Sequence, residues 1–118
     1  TLLEQNEKLG KKLYITGKGR CNITNASDME TLFANVCSNE KFLYSAFYSY
    51  TNEQVIDFFE SYGLRTKVER GNRVFPVSDH SSDVIATLAK ALKDVKVEVL
   101  TVQDVIRKEE AKEMFKYV

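Results

Sequence analysis

No run in this sequence approaches the ~20 consecutive apolar residues that cross a bilayer, and its first residues lack the charged, apolar and small-residue zones of a secretory signal. The reading is a soluble, cytoplasmic protein with no membrane partner. Cysteine is scarce. Cys21 and Cys37 are too few for a disulfide scaffold and lack metal-ligand spacing, so free thiols in a reducing compartment are expected, with no metal site. The sequons at Asn22 and Asn25 then have no meaning as glycan acceptors. The single histidine, His80, lies in a Ser/Asp-rich loop and reads as solvated or capping; no Ser/His/Asp set or carboxylate pair stands out. With 17 bases against 17 acids, the chain also lacks the basic excess of a general nucleic-acid binder. One local absence matters more: there is no acid from Lys8 to Ser27, so Lys8, Lys11, Lys12, Lys18 and Arg20 concentrate positive potential on that segment.

That segment holds "LYITGKGRCNITN", residues 13–25. Gly17 and Gly19 allow a backbone turn with outward N–H groups, and Lys18 and Arg20 add fixed charge, which together suit an anion such as phosphate. A tight turn with solvated bases fits the same residues. The stretch is not a Walker loop, because Gly10 is too distant and Gly19 stands where a Ser or Thr would bind metal. Nor is it a dinucleotide fingerprint, since Asn22 occupies the place of the third glycine. Glu4 closes an apolar strand end, the position at which dinucleotide-binding units place a ribose-binding acid, although a solvated turn acid would look the same. Cys21 reads as a small packing thiol rather than a redox centre, having no second cysteine within a few residues.

The 118 residues fit one domain, in four stretches without internal repeat. Residues 1–26 are a strand end and a glycine-punctuated loop, with a helical turn around Leu9 to Leu13. Residues 27–63 form a helical segment: Ser27 with Glu30 reads as a capping box opening a helix to about Val36, Asn39 to Tyr50 as a helix carrying Phe42, Leu43, Ala46 and Phe47 at helical spacing, and Thr51 with Gln54 as a second capping box before a helix that Gly63 ends. The aromatics of this segment could stack on bases, but their helical spacing favours core packing. Residues 64–77, "LRTKVERGNRVFPV", alternate about Gly71-Asn72 as a β-hairpin, with Pro76 ending the second strand or lying on an edge. Residues 78–118 begin with a helix over about Ser82 to Asp94, burying Val84, Ile85, Leu88 and Leu92. "KVEVL" follows as a strand with Val95, Val97 and Val99 on one face, and "VIRKEEAKEMFKYV" as strand, turn and strand. This order indicates an α/β fold. The chain starts without Met, on a strand end, and is expected to be a piece of a longer protein.

"LLEQNEKLGKKLYITGKGRCNITN", then "NEKFLYSAF" and "GNRVFPVSDHSSDVIATL", resemble the BaiN/YhiN-like NAD(P)/FAD-dependent oxidoreductases. The resemblance runs through nearly the whole chain, and "GKGRCN" with "RVFPVSD" at this separation is highly specific. It implies part of a three-layer, para-Rossmann FAD-binding domain from proteins several times longer. It further implies FAD as cofactor, NAD(P)H as co-substrate and an unidentified small organic substrate. Glu4 would take the adenosine ribose, with Gln5 beside it. Gly17, Lys18, Gly19, Arg20, Cys21 and Asn22 would run beside the pyrophosphate and flavin, Lys11 and Arg20 would supply charge, and Val105, on a strand around "VQDV", would contact adenine through its backbone. No nucleic acid is expected as partner. A nucleotide- or RNA-binding module using Lys8 to Arg20 stays open as the rival reading, as does a structural piece without activity.

Overall fold

A computed structural model of the protein describes residues 1–115. Among the described residues two small sheets and six α-helices form an α/β arrangement. Strand β1 (Leu2–Glu4) pairs in parallel with β5 (Val99–Thr101), Leu2 opposite Val99 and Glu4 opposite Thr101. Parallel partners need a long crossover, and here it comprises nearly all of the chain, ending in helix α5 (Ser81–Asp94). The second sheet is antiparallel in the order β2-β4-β3, built from β2 (Thr24–Asn25), β3 (Thr66–Glu69) and β4 (Arg73–Pro76).

The hairpin forms where the alternation predicts. Gly71 and Asn72 take left-handed φ values of 75° and 57°, which glycine and asparagine tolerate best, and this reverses the chain between β3 and β4. Pro76, with no N–H to give a ladder, is the last residue of β4. In the chain between β2 and β3 lie α2 (Met29–Ala34), α3 (Glu40–Ser49) and α4 (Asn52–Ser61). Helix α4 opens on the expected capping box: the Gln54 N–H donates to Thr51 Oγ1 and the Thr51 N–H to Gln54 Oε1. It stops at Gly63, φ 87°, where the Gly63 and Leu64 N–H groups donate to the Glu60 and Phe59 carbonyls, the two bonds of a Schellman motif.

Cys21, Phe59 and Val84 form the core, with Ile23, Val55, Phe58, Leu64 and Leu88 packed against them, so the glycine loop, α4 and α5 share one apolar centre. Short helix α1 (Lys11–Ile15) packs on α5 so closely at Gly10 that an added Cβ would lie 2.8 Å from the Ile85 side chain. A separate cluster gathers Tyr44, Phe47 and Tyr48 around buried Phe33.

Several local expectations are corrected. Asp28, not Ser27, caps α2: its carboxylate accepts the Thr31 N–H at 2.8 Å, while Ser27 Oγ accepts from the Asn72 amide of the hairpin turn. Phe42 projects from α3 with 85% of its surface exposed, outside any core. The strand in "KVEVL" starts only at Val99, because Val95 and left-handed Lys96 are used to stop α5: the Lys96 and Val97 N–H groups donate to the Lys93 and Leu92 carbonyls. The expected strand, turn and strand after it is helix α6 (Val102–Phe115), opened by Thr101 and Asp104: Asp104 accepts from the Thr101 N–H and hydroxyl at 2.9 Å each. The end of that stretch, 116–118, lies outside the described residues. Among the described residues no helix is long and apolar enough to cross a membrane.

Candidate functional site

Ligands of open α/β sheets sit beyond the carboxyl ends of parallel strands. Glu4 is at such an end, half-buried, with Asn6 donating from both its backbone N–H and its side chain to Glu4 Oε1 at 2.9 Å. Among the described residues Oε2 has no hydrogen-bond partner, so one oxygen is held in place while the other is available to a hydroxyl. Gln5 beside it is exposed. Lys11, one turn past Glu7, forms an exposed ion pair with that acid at 2.9 Å.

Gly17 to Cys21 form the second group. Gly17, Lys18, Gly19 and Cys21 all hold positive φ, between 56° and 84°, while the Arg20 and Cys21 N–H groups turn inward to the Gly17 and Thr16 carbonyls. A Cβ on Gly17 would lie 2.9 Å from the Asn22 backbone nitrogen and 3.2 Å from the Phe75 ring, so glycine is required by close approach to the hairpin. Gly19 has nothing within 4 Å of the same position and faces open space. Lys18 is exposed and has no ion pair among the described residues.

Arg20 is placed differently from what free phosphate-binding charge would require. Its guanidinium donates to Glu69 and, at 2.8 Å, to Asp79, and lies 4.0 Å from the centroid of the Phe75 ring. Lys67 completes the cluster, 2.7 Å from Asp79 and 3.2 Å from Glu69. Hydrogen bonds from Arg20 and then Lys67 hold the Glu69 carboxyl below its ordinary range, and those from Lys67 and then Arg20 do the same to Asp79. Lys67, Glu69 and Asp79 were not among the candidates from sequence. The period-two alternation of β3 puts Lys67 and Glu69 on one face, a legible signal, but their partner Arg20 is 49 residues from Glu69.

Val105 stands in the first turns of α6, not on a strand, so the extended backbone that would present both its N–H and C=O to adenine is replaced by helix. Among the described residues no hydrogen bond or ion pair joins Glu4 to Gly17–Asn22 or either to Val105, and the candidates form separate groups. The residues present fit the ribose of a nucleotide at Glu4 and an anion at Lys18 and the open side of Gly19. Tyr44, Phe47 and Tyr48 pack around Phe33, edge-on or face-on, while Phe42, Tyr48 and Tyr50 keep more than half of their surface exposed. Cys21, 2% exposed, packs in the core as expected of a structural thiol.

Residues 1–118 match the HI0933-like protein Rossmann domain. Over 102 residues the chain is 36% identical to a protein of Clostridium scindens named 3-dehydro-bile acid delta(4,6)-reductase, a match covering 85% of this chain and 24% of that protein. The chain thus spans about a quarter of the length of this curated relative. A Rossmann domain implies a nucleotide cofactor. With a parallel strand pair ending on Glu4, and with the match running from its first residue to its last, the chain belongs to the HI0933-like Rossmann domain family and is homologous to a reductase.

Proposed function

We propose that this chain is the ribose- and phosphate-facing portion of the FAD-binding domain of a flavin-dependent oxidoreductase, acting within a protein that moves hydride between NAD(P)H and a small organic substrate. The observation that carries the reading is Glu4, fixed by Asn6 at the carboxyl end of β1 with one carboxylate oxygen unengaged. In this reading Glu4 accepts hydrogen bonds from the adenosine ribose with Gln5 beside it, and Lys18 with the backbone at Gly19 meets the pyrophosphate. Cys21 and Asn22 hold the loop's far end, Cys21 through the core. The flavin supplies the redox chemistry; this part of the protein binds and orients it. In this reading the portion is a cofactor platform.

Alone, the chain offers a few donors, and β1 has one hydrogen-bonded neighbour among the described residues, so FAD is expected to bind no tighter than high micromolar, on the order of −5 to −6 kcal/mol. No NAD(P)H-dependent reductase activity is expected from it. Titration with FAD followed by flavin fluorescence tests the reading. Glu4→Ala should weaken binding by roughly 1–3 kcal/mol through loss of charge-assisted hydrogen bonds. Equal affinity of the variant and the parent would remove Glu4 from the site, and a stoichiometric submicromolar complex would show that the site is built from other residues.

A further inference from the structure

Four charges from three separate elements meet beside the glycine loop: Arg20 from the loop, Lys67 and Glu69 from β3, and Asp79 from the turn after β4. Each acid touches both bases, so the four close into a ring of zero net charge. Such an arrangement is distinct from an isolated surface pair, which contributes little. The cluster is seated on Phe75, 1% exposed, whose ring lies under the Arg20 guanidinium and beside Gly17. Lys67 is opposite Phe75 in the hairpin register and Glu69 opposite Arg73, so ring and charges share one face of the sheet. The loop needs such a mould. Lys18 and Cys21, both non-glycine, sit at φ 58°, a conformation that L-residues adopt only when their surroundings hold them there.

We propose that Arg20, Lys67, Glu69 and Asp79 form a clamp that fixes the left-handed loop Gly17–Cys21 on Phe75, which makes Arg20 a positioning residue and leaves Lys18 as the cation the loop offers to an anionic ligand. The ligand half of this statement rests on the functional reading above; the clamp half does not. The contrary arrangement is that Arg20 is itself the ligand's cation, parked on two acids until an anion displaces them. The two differ in whether loop closure depends on the acids and in which cation the anion needs.

The test uses the whole 118-residue chain with the double substitution Glu69→Gln and Asp79→Asn. Hydrogen exchange of the Cys21 amide, which is bonded to the Thr16 carbonyl at 3.1 Å, reports loop closure, and the amides of the hairpin pair Lys67 and Phe75, in ladder register with the Val77 N–H that donates to the Arg65 carbonyl, serve as internal controls. Inorganic pyrophosphate, followed by the amide shifts of Lys18 and Gly19, reports anion binding. The clamp predicts that in the double variant Cys21 exchanges about tenfold faster or more while the hairpin amides are unchanged, and that in the otherwise unchanged chain Lys18→Gln abolishes the pyrophosphate response. Unchanged Cys21 exchange overturns the clamp, and a pyrophosphate response that survives Lys18→Gln makes Arg20 the ligand's cation. Arg20→Lys, which keeps the charge but loses the planar fork and its seat on the ring, should speed Cys21 exchange as well. If the double variant loses its hairpin, that single variant decides, and a wild-type Cys21 rate in it refutes the proposal. Exchange needs no nucleotide, so a chain that never binds FAD would end the functional reading while leaving the clamp intact.

Discussion

At the scale of single residues, the two loop glycines have different reasons to be glycine, and the difference is measurable. Both hold positive φ, which costs an L-residue about 1–2 kcal/mol. Gly19 has free space around its missing Cβ, whereas at Gly17 the Cβ would press on the Asn22 backbone nitrogen and the Phe75 ring. Gly17→Ala should therefore destabilise the chain by clearly more than Gly19→Ala in urea unfolding, and equal losses would mean that the loop does not seat on Phe75. The charge ring has its own signature in pH. Because Glu69 and Asp79 have lowered pKa values, their contribution is complete above the ordinary carboxylate range and is lost as pH falls through the folded values. Arg20 is raised chiefly by Glu69 and Lys67 chiefly by Asp79, so the bases' contribution is complete below the ordinary lysine range and fades only in strong alkali. A plateau through neutrality with an acid-side loss beginning near about pH 4 is expected. Urea midpoints measured from pH 7 downward should fall less steeply in Glu69→Gln/Asp79→Asn than in the parent; parallel curves would show that the ring does not couple to folding.

At the scale of elements, helix ends decide more than helix middles. Helix α5 closes with a Schellman motif whose left-handed position is Lys96, φ 58°, where α4 uses Gly63. Lys96→Gly should stabilise the chain by about 1 kcal/mol, read from the denaturation midpoint; a destabilised variant would mean that the lysine makes a contact worth more than its backbone strain. The same ends explain what the sequence made legible. Helices α3, α4 and α5 and the hairpin stand out because their apolar residues recur at one clear period, and Gly63 after α4 and Gly71-Asn72 in the hairpin mark a stop and a turn. Strand β5 was misplaced because a lysine fills the glycine position, so nothing in "DVKVEVL" marks the helix stop. Helix α6 is hidden although "TVQD" has capping-box spacing, since "KVEV" before it alternates and the β-branched pair Val105-Ile106 after it favours a strand. In the site, Glu4 and the loop were visible as local patterns. The commitment of Arg20 to Glu69 and Asp79 was not, because it is made across 49 and 59 residues and only the fold brings those groups together.

At the scale of the whole molecule, the chain is extended: its radius of gyration is 18.4 Å, against about 13–14 Å for a compact domain of this length. Burial is correspondingly thin. Leu3 on β1 keeps 72% of its surface exposed, and β1 has a single hydrogen-bonded neighbour, β5, among the described residues. A nucleotide held here would have Glu4 and one loop to meet it, without strands on both sides of β1, which is the physical reason for the weak affinity expected of the chain by itself. The central claim is that these two groups, separate in sequence and not bonded to each other, serve one cofactor. The most direct measurement is a ¹H–¹⁵N correlation titration of the chain with FAD into the millimolar range. The account predicts shift changes concentrated at Glu4, Gln5 and Gly17 through Asn22, moving together along one saturation curve. Changes centred elsewhere, such as on the exposed face of α3, or separate curves for Glu4 and the loop, would contradict it.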